Sequence, residues 1–114
     1  MILYFSAEGN SRHVAERIAE RVGDTAVSIE KYKGEAAPRI VIDEDEYLGF
    51  IAPTYFWGLP APALDFLERA AFYVAEGAYV FTATTFGTTA GQTTRLAADL
   101  LQKQGVQTTA QFSV

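Results

Sequence analysis

Cysteine is absent from the 114 residues, and histidine occurs once. The first absence excludes disulfides, cysteine-ligated zinc, iron–sulfur clusters and a thiol nucleophile. A single histidine, His13, excludes a multi-histidine metal site. Positive charge is scarce too: nine basic residues against fourteen acidic give a net charge of −5. A chain of that sign repels nucleic-acid phosphates and acidic membrane surfaces, so neither is an expected partner. No apolar run approaches the ~18 residues that a membrane span needs. The opening run, Met1 to Phe5, has neither the basic flank nor the length of a signal peptide. A soluble cytoplasmic domain is the expectation. Gly-Lys-Ser/Thr, Gly-x-Gly-x-x-Gly after the first strand and Gly-x-Ser-x-Gly are all missing, which removes three common nucleotide and nucleophile signatures.

What is present is enough apolar residue, 49%, for one core. No internal repeat, linker or low-complexity tract divides the chain, so residues 1–114 read as a single domain. Ile2 to Phe5 is a continuous apolar run, expected as a short strand buried on both faces. From Asn10 to Val22 the period changes: Val14, Ile18 and Val22 recur every four residues beside Ala15 and Ala19, and charged residues fill the other side. That pattern predicts an amphipathic helix stopped by Gly23. Thr25 to Ile29 is a second strand by its β-branched content. In residues 30–46, Gly34, Ala36, Ala37 and Pro38 argue against a long helix, Ile40-Val41-Ile42 is expected to pair briefly, and the acidic run Asp43 to Glu46 is expected as a solvated face. Tyr47 to Ala52 is a third strand, ended by Pro53. A helix is predicted from about Pro60 to Phe72 or Tyr73, a fourth strand over Ala78 to Thr84, a last helix stopping at Gly105, and a fifth strand within Val106 to Val114.

Strands alternating with helices imply an α/β domain with a parallel sheet and right-handed crossovers. Ligands of such sheets bind beyond the carboxyl ends of the strands. Three loops lie there: Ser6 to Ser11, Pro53 to Pro60, and Thr84 to Gly91. The first runs directly into a helix and offers free backbone N–H groups, a positive dipole end, Gly9 and two serine hydroxyls. It reads either as an anion cradle made of neutral donors or as a plain capped turn with Asn10 or Ser11 as N-cap. The second holds three consecutive aromatics, Tyr55, Phe56 and Trp57, which one irregular segment cannot all turn inward. They form either a stacking wall for a flat heteroaromatic ligand or a plug over the sheet edge. In the third, Phe86-Gly87 could supply an opposite wall. His13, one turn into the helix, reads as a surface residue.

These segments resemble the flavodoxins. Ile2 to Ser11, Ile-Leu-Tyr-Phe-Ser-Ala-Glu-Gly-Asn-Ser, is similar to the first strand and phosphate loop of that family, Ser/Thr-x-Thr-Gly-Asn-Ser/Thr. Pro53-Thr54-Tyr55-Phe56-Trp57-Gly58-Leu59-Pro60 looks like the second flavin loop, in particular that of the flavodoxin domain in bacterial flavodoxin–ferredoxin fusion proteins. Thr84-Thr85-Phe86-Gly87 falls where a third flavin loop belongs. The resemblance implies a flavodoxin-like three-layer αβα fold with a five-stranded parallel sheet in the order 2-1-3-4-5, and FMN as a non-covalent cofactor. It implies that Ser6, Gly9, Asn10 and Ser11 bind the phosphate, with Glu8 in the same loop. Pro53, Thr54, Tyr55, Phe56, Trp57 and Gly58 would border the isoalloxazine ring, with Tyr55 or Trp57 stacked on it. Thr84, Thr85, Phe86 and Gly87 would meet the pyrimidine side or the ribityl chain. The Trp57–Gly58 peptide is the candidate for the backbone reorientation that accompanies flavin reduction in the family.

The chain departs from the family pattern at three points. Glu8 replaces a threonine in the phosphate loop, the cysteine-bearing ferredoxin module is absent, and the last helix is missing. The implied function is electron transfer with redox partner proteins, by a carrier rather than an enzyme with its own substrate. Two alternatives share the fold: a binding or assembly module that has lost flavin, and a flavin-dependent NAD(P)H oxidoreductase. Without the last helix, apolar residues around Ile2, Tyr4, Val27 and the fifth strand are expected to be open. A second copy or another chain is expected to cover them.

Overall fold

The computed structural model describes residues 1–6, 9–53, 59–85 and 90–113, without the side chains of 90–96 and 113. Among the described residues seven strands and three α-helices follow one another: β1 (Ile2–Tyr4), α1 (Asn10–Val22), β2 (Ala26–Ser28), β3 (Arg39–Ile42), β4 (Tyr47–Pro53), α2 (Ala61–Arg69), β5 (Ala71–Val74), β6 (Tyr79–Thr85), α3 (Ala90–Lys103) and β7 (Ala110–Ser113). Five of the strands form one sheet in the order β2-β1-β4-β6-β7, with every pairing parallel. With β3 and β5 left out of the count, this is the expected order 2-1-3-4-5.

Strand alternation sorts the core into two layers. On one face Leu3, Phe5, Leu48, Phe50, Ala52 and Val80 pack against Ala63, Phe66 and Leu67 of α2 and Ala97 and Leu101 of α3. On the other, Ile2, Ile51, Phe81 and Ala83 pack against Ala15 and Ala19 of α1. The buried line of α1 is Ser11, Ala15 and Ala19, three small residues that let the helix lie close to the sheet. Val14 and Ile18, which carry the sequence period, pack beside that line and are half-buried. Among the described residues no helix follows β7, and no helix is long and apolar enough to cross a membrane.

The expected end of the second helix is corrected. The second helix ends at Arg69 instead of running to Phe72 or Tyr73. Its last carbonyl bond is Ala70 N–H to Phe66 O at 2.9 Å, and Ala70 itself is extended. The chain then forms β5, which pairs in parallel with β3 from Arg39↔Ala71 to Ile42↔Val74. The brief pairing expected at Ile40-Val41-Ile42 is thus β3, and a 3-10 helix (Ile29–Tyr32) precedes it. The side ribbon closes one end of the core, with Ile40 and Ile42 buried inward and Val41 and Tyr73, each 53% exposed, facing out. The acidic run that follows is an exposed turn in which Asp43 N–H bonds Glu46 Oε1 at 2.8 Å.

The fifth strand is open as expected, with Phe112 exposed, whereas Ile2, Tyr4 and Val27 are buried or half-buried. Ile2 is fully buried under α1, and Val27 packs on the opposite face. The uncovered region lies at β6 and β7, where a chain of rings runs Tyr47–Tyr79–Phe81–Phe112 with centroids about 6 Å apart. Tyr79 is 38% and Phe112 47% exposed. Phe81 lies across Gly49, its direct cross-strand partner. A Cβ on Gly49 would fall 2.5 Å from Phe81 Cζ, so the ring fills the space that the glycine leaves.

At the amino end of the sheet Asp24 gathers three donors. The Met1 ammonium lies 2.8 Å away, and the backbone N–H groups of Thr25 and Tyr47 donate at 2.7 and 3.3 Å. Burial pushes the Asp24 carboxyl upward, but the ammonium and the two N–H bonds outweigh it and hold the group below its ordinary value.

Candidate functional site

The strand order reverses direction at β1. From there α1 leads outward to β2, and the rest of the sheet is built on the other side through β4. Loops leaving β1 and β4 therefore part company, opening a crevice at their carboxyl ends. The three loops singled out from the sequence all leave this edge, after β1, β4 and β6.

The first loop is the best defined. Phe5 N–H bonds Ile51 O at 3.0 Å and holds the loop's root on β4. Ser6 Oγ accepts from Gly9 N–H at 2.8 Å. Gly9 is the N-cap, in place of the expected Asn10 or Ser11, with φ +91°. Side chains rarely take that conformation, which accounts for glycine here. Among the described residues, α1 then begins with no side-chain cap bond and no carboxylate in its first turn. Its leading N–H groups and dipole end are presented without a competing side-chain acceptor on the helix itself. Asn10 and His13 are exposed, and Arg12 is drawn along the helix to Glu16 at 3.4 Å.

Ser11 turns inward. It is 1% exposed, and its Oγ lies 2.9 Å from Thr85 Oγ1, the last residue of β6. Thr85 is 3% exposed and sits opposite Pro53 in the β4–β6 register. The structure thus joins the first loop's helix to the roots of the second and third loops. Thr84 belongs to the other face by the alternation of β6, and it is buried. Glu8, Thr54, Tyr55, Phe56, Trp57, Gly58, Phe86 and Gly87 lie outside the described residues.

A cleft that the sequence did not signal adjoins the second loop. It has a volume of about 400 Å³ between the 3-10 helix and the start of α2, lined by Ile29, Glu30, Lys33, Pro62, Asp65 and Phe66. Of its two acidic members, Glu30 and Asp65, the latter is already paired with Arg69 at 2.7 Å. No spacing in the sequence brings residues 29–33 to 61–66; only the fold does.

A doubly wound parallel α/β sheet with a glycine-started helix at its switch point defines the fold class. A family model described as a flavodoxin domain matches residues 1–114. The chain belongs to the flavodoxin domain family, and the match points to a flavodoxin-like, flavin-binding function. A search of curated proteins gave no match.

Proposed function

We propose that the chain binds FMN and works as an electron-transfer protein. The observation that carries this reading is the start of α1. A helix opened by a left-handed Gly9, with no side-chain cap and no acidic side chain in its first turn, stands at the switch point of a flavodoxin-family sheet. Backbone N–H groups and a helix dipole suit a phosphate dianion. The donor set therefore fits the phosphate end of FMN.

In this reading Ser6 to Ser11 hold the phosphate end, Pro53 to Gly58 border the ring, and Thr84 to Gly87 approach it from the β6 side. When bound, the flavin supplies the redox chemistry. The chain's own residues bind and orient it and set the charge around it. The net charge of −5 has the sign that disfavours a reduced, anionic ring and lowers its potential. No side chain is required as acid, base or nucleophile.

The test is direct. The purified protein is expected to show the visible absorbance of a bound flavin, or to quench added FMN at micromolar concentration. A colourless protein that leaves FMN fluorescence unchanged would overturn the proposal and favour a binding module without cofactor.

A further inference from the structure

We infer that the outer edge of β3 is a self-association surface, on which a second copy of this chain adds its own β3, antiparallel, about a two-fold axis at Val41. The inference does not depend on the flavin-binding reading of the site.

Among the described residues β3 has one neighbouring strand, β5, and the two form a sheet of their own. The carbonyls of Pro38 and Ile42 are spent on that neighbour: they accept from Ala71 N–H at 2.7 Å and from Ala75 N–H at 2.8 Å. Backbone groups of successive strand residues point to opposite sides. The N–H and C=O of Arg39 and Val41 therefore face away from β5, and both residues are exposed. An unpaired edge of this kind is a template for another strand.

The charges along β3 favour a second copy as that strand. β3 is entered through Arg39 and left through the exposed acidic turn that starts at Asp43. The Arg39 guanidinium lies over the Tyr73 ring, 5.0 Å from its centroid. Neither Arg39 nor Asp43 is in an ion pair among the described residues. A parallel copy in register would set like charge beside like. An antiparallel copy centred on Val41 sets Arg39 opposite the partner's Asp43, twice by symmetry, on the solvent face that Val41 shares. Val41 then meets the partner's Val41 as a hydrogen-bonded pair that exchanges both backbone bonds. Sliding the strands by two residues sets Val41 against a charged residue instead. Asp43 contributes only its side chain, because its N–H and C=O are already bonded to Glu46. The interface is therefore small and the association weak, with a Kd on the order of 100 µM.

The test is sedimentation equilibrium of the full chain from about 10 µM to about 1 mM. The wild type is expected to dimerise reversibly, and more weakly as salt is raised. Arg39→Glu and Asp43→Arg should each weaken the dimer by about tenfold, since each turns two cross-strand attractions into repulsions. An equimolar mixture of these two variants should associate at near wild-type strength, because each then meets opposite charge at both positions. Val41→Pro removes an outward N–H that β5 does not use and should abolish association. Should that variant fail to fold, the two charge variants and their mixture decide alone. A wild type that stays monomeric throughout the range overturns the inference. So does a mixture that associates no better than either variant. A dimer lost in Phe112→Ser and indifferent to Arg39→Glu overturns it as well, and places the interface on the open β6–β7 face.

Discussion

Replacing Gly49 by alanine is expected to destabilise the protein through Phe81 alone. No left-handed backbone is required at Gly49, so alanine is allowed by its conformation. The obstacle is the ring: a new Cβ would lie 2.5 Å from Cζ, 2.8 Å from Cε1 and 3.0 Å from Cε2. Carbon atoms rest at about 3.5–4.0 Å, so the ring must recede by about 1 Å. Phe81 is 4% exposed and wedged between Tyr79 and Phe112, at 6.2 and 6.1 Å between centroids. Overpacking of this kind costs about 1–3 kcal/mol. Removing a strand glycine returns about 0.5–1 kcal/mol in backbone entropy. The net expectation is a loss of about 1–2 kcal/mol, or roughly 4–10 °C in Tm for a domain of this size. Urea denaturation of Gly49→Ala, Phe81→Leu and the double variant measures it. In the Phe81→Leu background the alanine should become neutral or slightly stabilising. An equal penalty in both backgrounds would refute the ring-over-glycine account.

Three further outcomes are expected. Because the folded Asp24 carboxyl lies below its unfolded value, the stability it contributes is present above the ordinary carboxylate range, about pH 4, and is lost as pH falls through its folded value. Asp24→Asn should therefore cost about 1–2 kcal/mol at neutral pH and flatten the acid limb of the urea midpoint; an unchanged limb would remove the Met1–Asp24 pair from the account. Glu8→Thr is expected to tighten FMN binding by removing a carboxylate from the phosphate loop, and equal affinities would mean that Glu8 faces away. The open β6–β7 face is expected to bind a hydrophobic dye, and Phe112→Ser should reduce the signal; no reduction would place the dye elsewhere.

The sequence carried the main sheet because its signals there are local. The apolar run Ile2 to Phe5, the α1 period and the strands around Phe50 and Phe81 each announce themselves within a few residues. The side ribbon is different. The apolar residues Ala63, Phe66, Leu67 and Ala70 run on into Ala71 and Phe72 without a break, so nothing local marks the end of α2. What ends it is pairing with Arg39 to Ile42, some thirty positions earlier. The start of α1 shows the same limit. Asn10 and Ser11 are commoner N-caps by type, yet Ser11 is taken by Thr85, 74 residues away, and Gly9 holds the cap. The candidate loops were legible as a group from strand order; which of their hydroxyls turns into the core was not.

The central claim, that the start of α1 receives the phosphate of a flavin, is tested most directly by fluorescence titration of the unmodified protein with FMN and riboflavin in parallel. The account predicts micromolar or tighter binding of FMN, with riboflavin weaker by about tenfold or more, since riboflavin lacks the charge that the helix start would hold. Equal affinities for the two flavins, or no quenching of either, would contradict it.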